Sequence, residues 1–182
     1  MDSSDFEKAI RKGDFEAVKF LIDNENCDIN QNIAHYVDPL GNIYFQRPLS
    51  FTLQNIQYEN DKSFKISKML LEHSDFNVNA QCCISNNFGF NNSTVLGEMC
   101  CTECESLLGV NMLLGDPRTN VNAGGIMPLY CALRNIKKEG DYFYQVSEML
   151  LKHRDIDVNA ELRDCQSILS RLCTKKTLQY ME

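Results

Sequence analysis

No stretch of these 182 residues stays apolar long enough to cross a membrane, which takes about 20 residues of helix. No basic run is present either. With 18 Lys and Arg against 25 Asp and Glu, the net charge is −7, and an acidic chain of this kind is a poor partner for a phosphate backbone. A glycine-rich phosphate loop is missing: Gly124-Gly125 reads as a turn. The first residues, MDSSDFEKAIRKGDFEAVKF, alternate charged and apolar side chains and contain no signal-peptide core. These absences argue against membrane-spanning and nucleic-acid-binding classes. They set the expected location as the cytoplasm, with the nucleus also open. The missing signal bears on the 9 cysteines as well. In a reducing compartment they are expected as free thiols, and their odd number agrees. The 43% of hydrophobic residues suffices for the core of one domain or a short array.

What the chain does have is a phrase that it repeats. Residues 149–160 read MLLKHRDIDVNA and residues 69–80 read MLLEHSDFNVNA. A looser copy, MLLGDPRTNVNA, spans 112–123, and a fourth, FLIDNENCDIN, spans 20–30. Aligned on Asn30, Asn79, Asn122 and Asn159, the copies lie 49, 43 and 37 residues apart. Such periods indicate stacked small units. Within the phrase, Val146, Met149 and Leu150 have helical apolar spacing. A polar stretch then stops the helix, and Val158-Asn159-Ala160 suits a turn.

The stretch before each phrase repeats too. Residues 47–53, RPLSFTL, match 127–133, MPLYCAL, and 94–100, TVLGEMC, match more weakly. Proline at the first helical position loses no intrahelical hydrogen bond, so these are starts of a first helix. The unit is turn, helix, helix, turn. Its residues resemble ankyrin repeats, whose pattern is Gly-x-Thr-Pro-Leu-His, a helix pair ending in Leu-Leu, then Asp-Val-Asn-Ala. The likeness covers nearly the whole chain. It is specific in the second helix and its exit and degenerate at the start of the first helix. There only Thr94 and Ser167 supply the hydroxyl, and no His follows the Leu.

The resemblance implies an all-α solenoid of helix-turn-helix units over residues 1–182. The units are about 1–30, 31–79, 80–122 and 123–159, with a C-terminal cap at 160–182. Two long fingers, 31–46 and 80–93, precede the second and third units, and Ile43-Tyr44-Phe45 is expected as a strand arm. The third finger, 123–126, is short. The second and fourth units share a longer connection between their helices. Leu53 to Ile66 and Leu133 to Val146 are both 13 residues, against 7 from Ile10 to Ala17. Ile168, Leu169 and Leu172 form one face of the cap helix, with Leu178 in a short last helix.

Candidate chemistry is sparse. Cys100-Cys101-x-x-Cys104, with Cys82-Cys83 upstream, is the most metal-like cluster, and zinc takes four S or N ligands. In the repeat alignment, however, Cys100 occupies the position of Leu53 and Leu133, where packing explains a thiol. The alternative that stays open is a zinc-binding or redox-sensing protein using the region from Cys82 to Cys104. His73 and His153 hold identical places in the phrase, as structural residues do, and are expected to help close the second helix. His35 stands alone in a loop. No catalytic residue, cofactor or metal ligand is assigned.

The fingers concentrate aromatics: Tyr36, Tyr44, Phe45, Phe88 and Phe90. Two readings are open, packing on neighbouring fingers or a contact surface. The family resemblance implies a protein-binding module without catalysis, an adaptor or a competitive inhibitor, monomeric and with a protein partner. Finger tips and starts of the first helices would share a concave face. That places Tyr44, Phe45, Arg47, Ser50 and Phe51 on it from the second unit, and Phe88, Phe90, Asn92 and Glu98 from the third. The fourth gives Met127, Tyr130 and Cys131; the cap gives Arg163 and Gln166. The trimmed third finger is expected to leave Tyr130 less shielded. The loops 56–63 and 136–144 fall at the opposite end of the helices.

Overall fold

Each repeated phrase folds as the end of one helix and the turn after it. The computed structural model describes residues 3–24, 27–37, 43–86, 89–102, 106–124, 127–160, 167, 168 and 170. Its elements are α1 (Ser3–Lys12), α2 (Phe15–Asn24), β1 (Ile33–Val37), β2 (Ile43–Gln46), α3 (Pro48–Gln54) and α4 (Lys62–Glu72). They continue with β3 (Cys82–Asn86), β4 (Gly89–Ser93), α5 (Val95–Cys101), α6 (Leu107–Gly115), α7 (Pro128–Asn135) and α8 (Tyr142–Leu151). The helices pair in chain order, and the first helices α1, α3, α5 and α7 stack in one row. Behind them α2 packs on α4 and α6 on α8. This is a solenoid of stacked helix pairs, with two of its fingers built as β-hairpins. Among the described residues no helix is long and apolar enough to cross a membrane.

The core runs through the stack between the two rows. Leu49, Leu53, Ile66 and Leu70 fill the second unit, and Leu96, Met99, Val110 and Leu113 the third. Leu129, Ala132, Val146 and Leu150 fill the fourth. Each fully buried Leu, Ile, Val or Met among these is worth about 1.5–3 kcal/mol relative to exposure. Ile168 of the cap is buried as well; Leu169, Leu172 and Leu178 lie outside the described residues. In the third unit α6 also packs on α3. Gly109 permits the approach, since a Cβ there would lie 2.9 Å from both the Leu53 carbonyl oxygen and Met99 Cε.

Helix starts follow the local residue. Arg47 and Met127 give no side-chain cap and rely on the proline at the next position. Thr94 and Ser167, the two hydroxyls of the degenerate motif, each accept a backbone N–H three residues on, from Gly97 and Ser170, both at 3.2 Å. The shared insertion has one organiser in each copy. The Asp61 carboxylate accepts the N–H of Gln57 at 2.7 Å and of Phe64 at 2.6 Å, closing the loop and capping α4. Asp141 does the same with Lys137 and Tyr144, both at 2.8 Å. Asn60 and Gly140, one residue earlier, take the positive φ of 68° and 78° that the turn requires.

At the exit of the second helix His73 and His153 behave as expected of closing residues. Each backbone N–H bonds a carbonyl of the last turn, Leu70 and Leu150. Each Nδ1 accepts the N–H two residues on, from Asp75 and Asp155, at 3.2 Å. Asp116 takes this place in the third unit, accepting the Arg118 N–H at 2.9 Å.

The repeat asparagine is more than a turn former. Asn30 donates its amide to the Asp75 carbonyl and accepts the Asn77 N–H, both at 2.8 Å. Asn79 bonds Arg118 O at 2.7 Å and Asn120 N at 2.8 Å. Asn122 bonds Asp155 O at 2.8 Å and Asp157 N at 2.9 Å. A ladder of side-chain amides thus ties each turn to the next. A side-chain amide can do this because one lobe donates and the other accepts. Arg118 adds a second tie: its guanidinium donates to the carbonyls of Leu71 and His73 at the end of α4.

Candidate functional site

The two long fingers are antiparallel hairpins standing before α3 and α5. In the first, Ile33 pairs with Gln46 and Val37 with Ile43, with a bulge between Ala34 and Tyr36. The second runs in regular register from Cys82 opposite Ser93 to Asn86 opposite Gly89. The hairpins touch through β2 and β3. The fingers therefore lead into the starts of the first helices at one end, while the connections at 55–61 and 136–141 leave from the other.

The sequence-predicted residues fall into distinct settings. Tyr44 and Phe45 belong to β2 and Phe90 and Asn92 to β4, but their side chains lie outside the described set. Phe88, Arg163 and Gln166 lie outside the described residues altogether. Arg47, just ahead of α3, is half-buried and donates from Nη2 to the Gln81 carbonyl at 3.0 Å, linking the second unit to the root of the second finger. Met127 is half-buried ahead of α7. Tyr130 is buried, with 7% of its surface exposed, and the Arg134 guanidinium sits 5.7 Å over its ring. The expectation of a less shielded Tyr130 is thus corrected. Arg134, one helical turn on, covers the ring.

Glu98 and Ser50 are brought together in a buried polar cluster between α3 and α5. Glu98 is only 5% exposed and accepts the Ser50 hydroxyl on Oε2. Gln46 Nε2 reaches Ser50 Oγ at 3.2 Å and Gln54 Oε1 at 2.8 Å, and Gln54 Nε2 donates to Ser50 Oγ at 3.3 Å. The cluster joins the root of the first finger to the first helices of two units. A signal for it exists in the repeat alignment, where Glu98 stands in the column of Phe51 and Cys131. Gln46 and Gln54 carry no such signal.

Phe51 turns the other way. Its ring lies under the Arg11 guanidinium at 5.4 Å, on a cleft of about 340 Å³ that Lys12, Tyr58 and Lys62 also line. Tyr58 is 65% exposed at its rim. The cleft joins the first two units on the side of the helix-helix connections, and sequence periodicity pointed to neither Arg11 nor Tyr58.

The metal-like cysteines divide. Cys100 is fully buried in the core, as its Leu-equivalent position implies. Side chains of Cys82 and Cys83 are not among those described, and Cys104 is outside the described residues. Among the described residues no group of three His, Cys, Asp or Glu side chains is placed to hold a metal. Cys131 is buried on α7 and Cys101 exposed at the end of α5.

No model of a known protein family matches the chain, and no curated protein matches it. Solved structures do, 16 chains in all. One is the crystal structure of EF0377, an ankyrin repeat protein, similar over 97% of this chain and 94% of that one at 16% identity and a TM-score of 0.46. The solenoid is defined by this chain's own helix pairs, hairpin fingers and asparagine ladder.

Proposed function

We propose that residues 1–182 form one ankyrin-repeat domain that binds a protein partner on the face made by its fingers and first helices, as an adaptor or competitive inhibitor. The observation that carries this reading is the pair of touching hairpins raised at one end of a continuous row of first helices. Such a ridge and row span several units, and a standard interface needs only about 800 Å² per partner. The proposed contacts are Tyr44, Phe45 and Arg47, then Phe88 and Phe90, then Met127 and Arg163; Phe51, packed under Arg11 on the other side, and the buried Glu98 and Tyr130 are left out of the contact set. Aromatic residues and Arg are the types that anchor protein contacts. Catalysis is not part of the proposal, since His73 and His153 are occupied in equivalent helix closures.

Affinity capture with the intact chain, followed by alanine scanning of both ends of the helices, tests it. Phe45→Ala, Arg47→Ala and Phe90→Ala are each expected to weaken the captured complex by more than about 1 kcal/mol with the fold retained. Silent finger variants alongside an affinity carried by residues 136–144 would assign binding to the other end.

A further inference from the structure

Cys101 closes α5 and Cys131 lies within α7, the first helices of adjacent units. Their sulfurs are 2.6 Å apart. A disulfide bond is about 2.05 Å long, so about half an ångström of side-chain movement separates contact from bond. The fourth unit is tied to α5 close by, where Tyr142 of α8 donates its hydroxyl to the Met99 carbonyl at 3.0 Å. Of the two residues Cys101 is exposed and Cys131 buried. That is the arrangement of an attacking thiol and a resolving thiol.

We propose that Cys101 and Cys131 are a reversible dithiol–disulfide pair that cross-links the third and fourth units on oxidation by a small-molecule disulfide such as glutathione disulfide. In the first step the Cys101 thiolate attacks one sulfur of glutathione disulfide, forming a mixed disulfide and releasing one glutathione thiolate. In the second, Cys131 attacks the Cys101 sulfur, the protein disulfide forms, and a second glutathione thiolate leaves. The Cys131 proton passes to that leaving thiolate. Two protein thiols are oxidised and one glutathione disulfide is reduced to two glutathione molecules. The electrostatics suit the first step, in which the thiolate is the nucleophile. Hydrogen bonding with Cys131, and then the Arg134 charge, hold Cys101 below the ordinary thiol value. The same contact and burial push Cys131 up. Cys100, next in sequence, is a fully buried core residue and takes no part.

The experiment is oxidation of the full chain in glutathione buffers of graded poise, acid quenching, alkylation of remaining thiols and peptide mapping without reduction. Arg118 provides a cleavage point between the two cysteines. The expected result is a Cys101–Cys131 linked peptide from monomeric protein, loss of two alkylatable thiols, and an upward shift in melting temperature that reductant reverses. Cys101→Ser, at an exposed position, should abolish the link and the shift. Cys131→Ala should do the same where it folds, and Cys101→Ser decides alone where it does not. Full alkylation of both residues at the most oxidising poise would overturn the proposal. So would linkage of Cys101 to any other cysteine, or a link found only between two chains.

Discussion

Asn79 makes both of its amide hydrogen bonds to a unit other than its own. Each such bond contributes about 0.5–1.5 kcal/mol net, so Asn79→Ala is expected to lower stability by about 1–3 kcal/mol in urea denaturation. Asn79→Asp should not rescue it, because a carboxylate cannot donate to the Arg118 carbonyl. A loss no larger than that of an exposed surface substitution would mean that the ladder is decoration. Two carboxylates of the turns also predict a pH response. Backbone N–H donors from Tyr144 and Lys137 hold Asp141 below the usual carboxylate range. The Arg118 guanidinium, partly opposed by burial, lowers Asp116. A depressed folded value means that the unfolded chain binds the proton more readily. The contribution is therefore complete above the unfolded carboxyl value of about 3.9 and is lost as pH falls below it through the folded values. Urea midpoints measured from pH 7 downward should fall on entering that window, and less steeply in Asp116→Asn and Asp141→Asn. Parallel curves for variants and wild type would remove these groups from the account.

At the scale of the element, each helix pair depends on its neighbour for burial. Leu70 of α4 and Leu150 of α8 are fully buried at equivalent places. Truncating either to Ala should cost about 2–5 kcal/mol, read from chemical unfolding. An unchanged unfolding midpoint for Leu150→Ala would break the repeat register. That register was legible in the sequence because helix period and phrase spacing are local: Leu70 aligns with Leu150, and the hydroxyls of Thr94 and Ser167 mark their caps. The strand at Ile43-Tyr44-Phe45 was legible for the same reason. Contacts between units were not. Asn30 to Asp75, Ser50 to Glu98 and Cys101 to Cys131 each join residues 30 or more positions apart, and no period in the sequence says which turn meets which. Phe51 shows the cost of this for the candidate site. Its place in the repeat put it beside the fingers, but the side chain packs under Arg11 of the preceding unit. The shared insertion became intelligible only with Asp61 and Asp141 seen folding it.

At the scale of the whole molecule, stacking turns four short-range helix pairs into one extended surface. A solenoid of this kind has its two ends chemically unlike: hairpins and helix starts at one, Asp-organised connections at the other. The finger end carries the aromatic and Arg residues of the proposed face. The buried cluster of Glu98, Ser50 and Gln46 fixes the first finger against the second and third units, so a partner of the proposed face would meet a surface that is already arranged. Pre-arranged surfaces lose less ordering entropy on binding. Backbone hydrogen exchange of the chain alone and in complex with a captured partner addresses the central claim without altering a residue. New protection is predicted across residues 43–51, 89–98 and 127–131, with 57–61 and 136–141 exchanging as in the free chain. Protection confined to 57–61 and 136–141, with the fingers unchanged, would contradict it.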